Sequence, residues 1–138
     1  CIRCREIGRR PSSAVVEEKS QVYSCCGGTE HFLSTVAGES LIGFVRLRFP
    51  GTVFRPELEE AALVRELHVY GEIVPLGESG SGDKRQHRSY GQQLLKRAEE
   101  TAREAGYSKV AVMSGVGVRP YYHRQGYQRT GPYMIKNL

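Results

Sequence analysis

The sequence contains no long apolar run. No stretch approaches the ~18 apolar residues of a membrane-spanning helix, and no basic-then-apolar leader opens the chain. These absences argue against a helical membrane protein and point to a soluble, cytoplasmic one. Cysteine is sparse: Cys1, Cys4 and the adjacent pair Cys25-Cys26 are the full set. The three-cysteine spacing that holds an iron–sulfur cluster is missing, so no such cluster is expected on this chain. Cys1-Ile2-Arg3-Cys4 does have metal-knuckle spacing, which makes Cys1 and Cys4 candidate ligands of an incomplete metal site. Adjacent side chains of an extended segment point to opposite faces, so Cys25 and Cys26 are not expected to serve one metal together. Free thiols are the expectation there. The first residue is Cys rather than Met, which suggests that the chain begins inside a longer protein.

What is present is an ordinary soluble balance, with 39% apolar and 25% charged residues in 138. That length suits one domain that buries most of its apolar surface without disulfides or metals. The net charge of +5 is concentrated at Arg3 to Arg10, Lys84 to Arg88 and Arg119 to Arg129. Such clusters raise the local concentration of a polyanion, so a nucleic acid or a phosphorylated cofactor fits; a solvated basic surface fits as well. Sixteen glycines mark tight turns or places where a ligand approaches backbone.

The longest periodic segment organises the rest. From Gln86 to Gly106 the apolar residues Tyr90, Leu94, Leu95, Ala98 and Ala102 recur at helical spacing, and Gly106 is a left-handed stop. The basic run up to Arg88 is read as a loop entering this helix, whose first turn would offer free N–H groups and the positive dipole end to a phosphate. Ahead of it, strands are predicted around Ser20 to Ser24, at Glu30 to Ala37, at Leu41 to Phe49 and within Ala61 to Ile73. In the last of these, strict alternation places Val64, Glu66, His68 and Tyr70 on one face and Leu67 and Val69 on the other. A carboxylate, an imidazole and a phenol on one strand face are either a hydrogen-bonded internal cluster or a working site. Beyond the helix come a buried strand at Lys109 to Met113, a short helix from Val118 that stops at Gly126, and a last strand pair around Gly131-Pro132. Ile2 to Ser12 reads as a basic extended arm or linker. The expected fold is α/β, a mixed, mostly antiparallel central sheet flanked by helices.

A near-match to Gln-x-x-Gly-x-Gly at Gln86 to Gly91, followed by an apolar strand and a Tyr-bearing short helix before Gly126-Tyr127, resembles the GNAT acetyltransferase superfamily. The strings Cys1 to Glu6, Gly27 to Glu30, Leu41 to Gly43, Arg65 to Gly71, Gln86 to Arg88, Ser114 to Arg119, Tyr121-Tyr122 and Gly131 to Met134 sharpen this. Together they resemble the C-terminal acetyltransferase domains of the Elongator catalytic-subunit family, radical SAM enzymes that modify tRNA. The resemblance implies a GNAT domain over residues 13–138, with 1–12 as the arm from a radical SAM domain that would carry S-adenosylmethionine and the iron–sulfur cluster. It implies acetyl-CoA as the ligand and tRNA as the partner, the acetyl unit serving carboxymethyl-type modification of the wobble uridine. A protein-lysine acetyltransferase and a non-catalytic CoA-sensing or tRNA-docking module are the alternatives.

Carried onto this sequence, the resemblance implies a CoA diphosphate on the N–H groups from His87 to Gln92, within Gln86, His87, Arg88, Ser89, Tyr90, Gly91 and Gln92. The pantetheine arm would lie between Leu67, His68 and Val69 on one strand and Ser114 at the end of another. A backbone N–H near Val69 or Tyr70 would polarise the thioester. Glu66 or His68 would orient or deprotonate the acceptor, and Tyr121 or Tyr122 would protonate the leaving thiolate. Ser89 departs from the family's first glycine and Gln125 from its usual apolar residue.

Overall fold

The computed structural model describes residues 1–6, 15–70 and 82–138, with the backbone alone for 82–89. Three strands, β1 (Val16–Cys25), β2 (Gly28–Ala37) and β3 (Ser40–Phe49), form an antiparallel meander, and β4 (Ala61–Val69) continues it antiparallel to β3. The helix α1 (Gly82–Glu104) then crosses over, and β5 (Lys109–Val112) runs parallel to β4. A short helix α2 (Arg119–Arg124) leads to the antiparallel pair β6 (Gln128–Thr130) and β7 (Tyr133–Asn137), with β7 beside β5. The sheet order is β1-β2-β3-β4-β5-β7-β6. This is the expected mixed, mostly antiparallel α/β sheet.

The core follows from the two periodicities. Leu94, Leu95, Ala98 and Ala102, three and four residues apart on α1, are at most 1% exposed; they meet Leu33, Val45, Leu47, Ala62, Val64, Val110 and Val112 on one sheet face. Each leucine so covered contributes about 1.5–3 kcal/mol of burial. Small Ala98 and Ala102 let the helix approach the sheet. The helix stops where expected: Gly106 has φ +90°, the Tyr107 N–H donates to Ala102 O at 3.0 Å, and the Tyr107 ring lies 4.7 Å from that of Phe49.

Several boundaries differ from the sequence reading. The first strand runs from Val16, longer than Ser20 to Ser24, because pairing to β2 along its whole length overrides its exposed, polar composition. The first six residues are docked rather than extended. Arg3–Arg5 form a 3-10 turn, Arg5 Nε donates to Glu39 O at 2.9 Å, Glu6 bridges Leu41, and Ile2 packs on the cluster of Val36, Leu41 and Phe44. Residues 7–12 of the expected arm, and 71–73 of the expected fourth strand, lie outside the described residues. The helix starts at Gly82, ahead of the expected Gln86. Nothing from Asp83 to Tyr90 is a proline or glycine that would interrupt it, so the loop assigned to the basic run is helical.

Candidate active site

The parallel pairing of β4 and β5 ends early. It covers Ala61–Val64 against Lys109–Val112, with one further bond from the Met113 N–H to Val64 O at 3.0 Å. From Glu66 to Val69, β4 keeps its partner β3 but has no strand on its other side among the described residues. The parting coincides with a bulge. Leu47 pairs with Val64 and Arg46 with Glu66, so Arg65 is an extra residue that breaks the alternation. Val64 therefore shares the helix-side face with Leu67 and Val69, and the expected grouping of Val64 with Glu66, His68 and Tyr70 is corrected. A single-sequence alternation argument has no means of seeing one inserted residue.

Two hydroxyls beside the opening are buried without a hydrogen-bond partner among the described residues, Ser114 Oγ and Tyr121 Oη. Four buried side-chain atoms lack a hydrogen bond among the described residues: Arg46 Nε, Ser114 Oγ, Arg119 Nε and Tyr121 Oη. Three of the four lie on the stretch from the end of β5 into α2. A buried hydroxyl left unpaired costs about 1–3 kcal/mol, so Ser114 and Tyr121 would gain from a polar group entering beside them. The position of Tyr121 Oη is fixed by α1 and β4: a side chain at Gly91 would stand 3.2 Å from that oxygen and 3.7 Å from Val69 Cγ2. Gly91 thus brings helix, strand end and phenol together. That packing role was not read from the sequence, where Gly91 stood as the last glycine of the Gln-x-x-Gly-x-Gly near-match. Burial raises the Tyr121 pKa above its ordinary 10.0, with the Arg124 charge opposing, so the hydroxyl holds its proton at neutral pH.

The two tyrosines are not equivalent. Tyr122 is 6% exposed, its ring edge-on to Tyr127 in the main core, and burial pushes its pKa up to about 12. It packs, whereas Tyr121 presents an unpaired hydroxyl beside β4.

Glu66 and His68 stand on the opposite face. Glu66 is half exposed and faces Arg46 at 3.8 Å, too far for a hydrogen bond. The exposed His68 ring lies 4.5 Å from Tyr70 and 6.1 Å from Phe44, which stacks on Phe32 at 5.1 Å. The fold therefore does not gather Glu66, His68 and Tyr121 on one face; it sets them on the two sides of the gap beside β4. Burial, then the Glu6 and Glu66 carboxylates, raise the Tyr70 pKa, with Arg3 opposing.

The Tyr70 N–H is already committed to Ile42 O at 2.8 Å, which removes it as a polarising donor. Donors alternate along an antiparallel strand, so the Val69 N–H faces away from β3, toward the opening. Of the expected phosphate-binding stretch, Gln86, His87, Arg88 and Ser89 have helical backbone, and their side chains lie outside the described residues. Tyr90, the buried Gly91 and the exposed Gln92 continue the helix. The free first-turn N–H groups of α1 therefore begin at Gly82, and the placement of unbonded donors at His87 to Gln92 is corrected.

Cys1 and Cys4 are exposed free thiols, and among the described residues no group of three or more His, Cys, Asp or Glu side chains could hold a metal. Among the described residues, no helix is long and apolar enough to cross a membrane.

A family model described as the Acetyltransferase (GNAT) family matches residues 3–127. Over its full length the chain is 43% identical to a tRNA uridine(34) acetyltransferase of Methanocaldococcus jannaschii, of which it spans 28%. It is 46% identical to Elongator complex protein 3 of Danio rerio, with 99% of this chain and 27% of that protein aligned. Among solved structures, an N-terminally truncated Elp3 of Methanocaldococcus infernus superposes on the whole chain with a TM-score of 0.85 and 41% identity, and the match covers 35% of that chain.

Proposed function

Since this chain belongs to the GNAT family of acetyltransferases, we propose that it is the acetyl-CoA-binding part of an enzyme that modifies the wobble uridine of tRNA. The observation that carries the reading is the opening between β4 and β5, where Ser114 Oγ and Tyr121 Oη are buried and, among the described residues, unpaired beside an edge of β4 that has no strand partner. An extended amide-bearing arm fits such an edge, because it can bond the unpaired strand as a neighbouring strand would. The names of the relatives supply the substrate class. Acetyl-CoA supplies the activated acetyl group.

In this reading the edge of β4 at Leu67 and Val69, with Ser114 opposite, holds the arm. The diphosphate end lies against the N-terminal part of α1, beside Ser89 and Gly91, where the dipole of the first turn at Gly82 and the charges of Lys84, Arg85 and Arg88 favour it without unbonded N–H groups at His87 to Gln92. The Val69 N–H polarises the acyl carbonyl. Tyr121, neutral at physiological pH, donates its proton to the departing sulfur. Glu66 and His68 meet the acceptor from the helix-free face, where the exposed imidazole on its ring stack offers a planar surface. The radical SAM chemistry of the full modification belongs to protein outside this chain.

The test is thiol release from acetyl-CoA by the chain, with tRNA or a basic peptide as acceptor. Tyr121→Phe is expected to lower kcat by roughly a hundredfold or more with KM little changed, and Tyr122→Phe to act chiefly on stability. Equal turnover by Tyr121→Phe would remove that hydroxyl from the chemistry. Acetyl-CoA binding without release would leave a non-catalytic CoA-sensing module, and preference for the peptide would make the chain a protein-lysine acetyltransferase.

A further inference from the structure

The adjacent cysteines do not behave as residues of an extended segment. Cys25 ends β1 opposite Gly28, and the two residues between them, Cys26 and Gly27, have φ of 46° and 72°. Two consecutive left-handed residues make the tight turn that suits the twist of a hairpin, and this turn swings the Cys26 side chain back toward its neighbour. The two sulfurs stand 3.6 Å apart, with Cys26 exposed and Cys25 half-buried. They are free thiols on one side of a turn, which corrects the expectation that they diverge.

The turn is held from below. Arg48 Nη2 donates to Cys25 O at 3.0 Å and to Cys26 O at 3.1 Å. The same guanidinium lies 3.6 Å from the carboxylate of Glu30, which is 1% exposed and also accepts from Arg65. Gly28 is pressed against the backbone at Phe49 and Gly51, so a side chain there would collide. The carbonyl groups of Cys25 and Cys26 are thus both held by a cation that is itself anchored in the sheet. Little conformational freedom is left for the thiols to lose on capture.

We propose that Cys25 and Cys26 form a vicinal-dithiol site that closes on a single soft, thiophilic centre, a metal ion or trivalent arsenic. A metal such as Zn²⁺ holds thiolates at about 2.3 Å, and tetrahedral ligands at that radius stand somewhat under 4 Å apart. The observed separation already matches, and soft ligands of this type select soft centres over hard ones. The proposal is independent of the acetyl-transfer reading, since none of its residues lines the opening between β4 and β5.

The probe is phenylarsine oxide. Its trivalent arsenic forms two As–S bonds as two S–H bonds and the As–O bond break; the two protons leave with the oxygen as one water, and no oxidation state changes. The background is the chain carrying Cys1→Ser and Cys4→Ser, which leaves only the turn thiols. One phenylarsenic per chain is expected by intact mass, kept against excess 2-mercaptoethanol and released by a dithiol. Cys25→Ser or Cys26→Ser, each confirmed as folded by circular dichroism, is expected to weaken retention roughly a hundredfold, because the second bond is no longer intramolecular. The folded chain is also expected to hold the probe more firmly than the same chain in urea. Equal retention by either single variant would overturn the proposal. So would failure of the background chain to hold the probe, or equal retention by the unfolded chain.

Discussion

Tyr121 and Tyr122 are neighbours of the same chemical type, yet their surroundings divide them. One leaves its hydroxyl unpaired beside Gly91 and Val69, and the other lies in the core against Tyr127. Adjacent tyrosines were legible in the sequence as a pair; which of them faces the opening depended on how α2 lies against α1. A second residue with a measurable signature is His31, whose ring lies 4.5 Å from Phe49. Partial burial lowers its pKa below the ordinary 6.5. The unfolded chain then binds this proton more readily than the folded one. The associated stability is full above 6.5 and is lost as pH falls through 6.5 toward the lowered folded value. Urea midpoints measured on either side of 6.5 are expected to drop on the acid side, and His31→Gln to flatten that drop. An unchanged slope in the variant would assign the effect to other groups.

Two elements position the site, and they were unequally legible. The helix α1 was visible in the spacing of Tyr90, Leu94, Leu95, Ala98 and Ala102, and its stop at Gly106 was visible as a glycine after the last periodic residue. Its start was not, because Asp83 to Arg88 look equally at home in a basic loop and in a helix. The start at Gly82 puts Ser89 in the helix interior. There Ser89→Gly costs the helix about 0.5 kcal/mol in propensity while removing a side chain from the proposed ligand path. The expected outcome is acetyl-CoA affinity equal to or tighter than the parent's by titration calorimetry, with a slightly lower melting temperature. Weaker binding would show that the serine side chain helps hold the ligand rather than crowding it. The strand β4 was legible as an alternating segment, but its bulge at Arg65 was not. The extra residue turns Glu66 and His68 to the face opposite the helices, and it marks where β4 and β5 part.

At the scale of the whole molecule, long-range polar ties hold the sheet to the helix that crosses it. Arg97 on α1 reaches Glu18 at 3.2 Å and the Ser34 carbonyl at 3.2 Å, which fixes the otherwise exposed β1 edge. On the other side, Glu99 is 8% exposed and accepts from Tyr127 Oη at 2.9 Å and from Lys136 Nζ, tying α1 to the C-terminal strands. The Glu99 carboxylate, after burial, pushes the Tyr127 pKa further up, so this phenol stays a donor. Tyr127→Phe is expected to cost about 1–3 kcal/mol in urea unfolding by removing one charge-assisted hydrogen bond to Glu99 Oε1, which keeps its bond from Lys136 Nζ. A change within error would show that Lys136 alone satisfies Glu99. What the sequence determined by itself was local: strand and helix periods, turn glycines, the order of elements and hence a mostly antiparallel α/β sheet. Those features depend on residues within a few positions of one another, where steric preference and hydrophobic spacing act directly. Tertiary structure alone decided which side of the sheet Glu66 and His68 occupy, which tyrosine is left unpaired, and that Cys25 and Cys26 face each other. Each of these turns on a register shift, a helix-to-sheet contact or a left-handed turn braced by Arg48, and the contacts that select them come from residues distant in the chain.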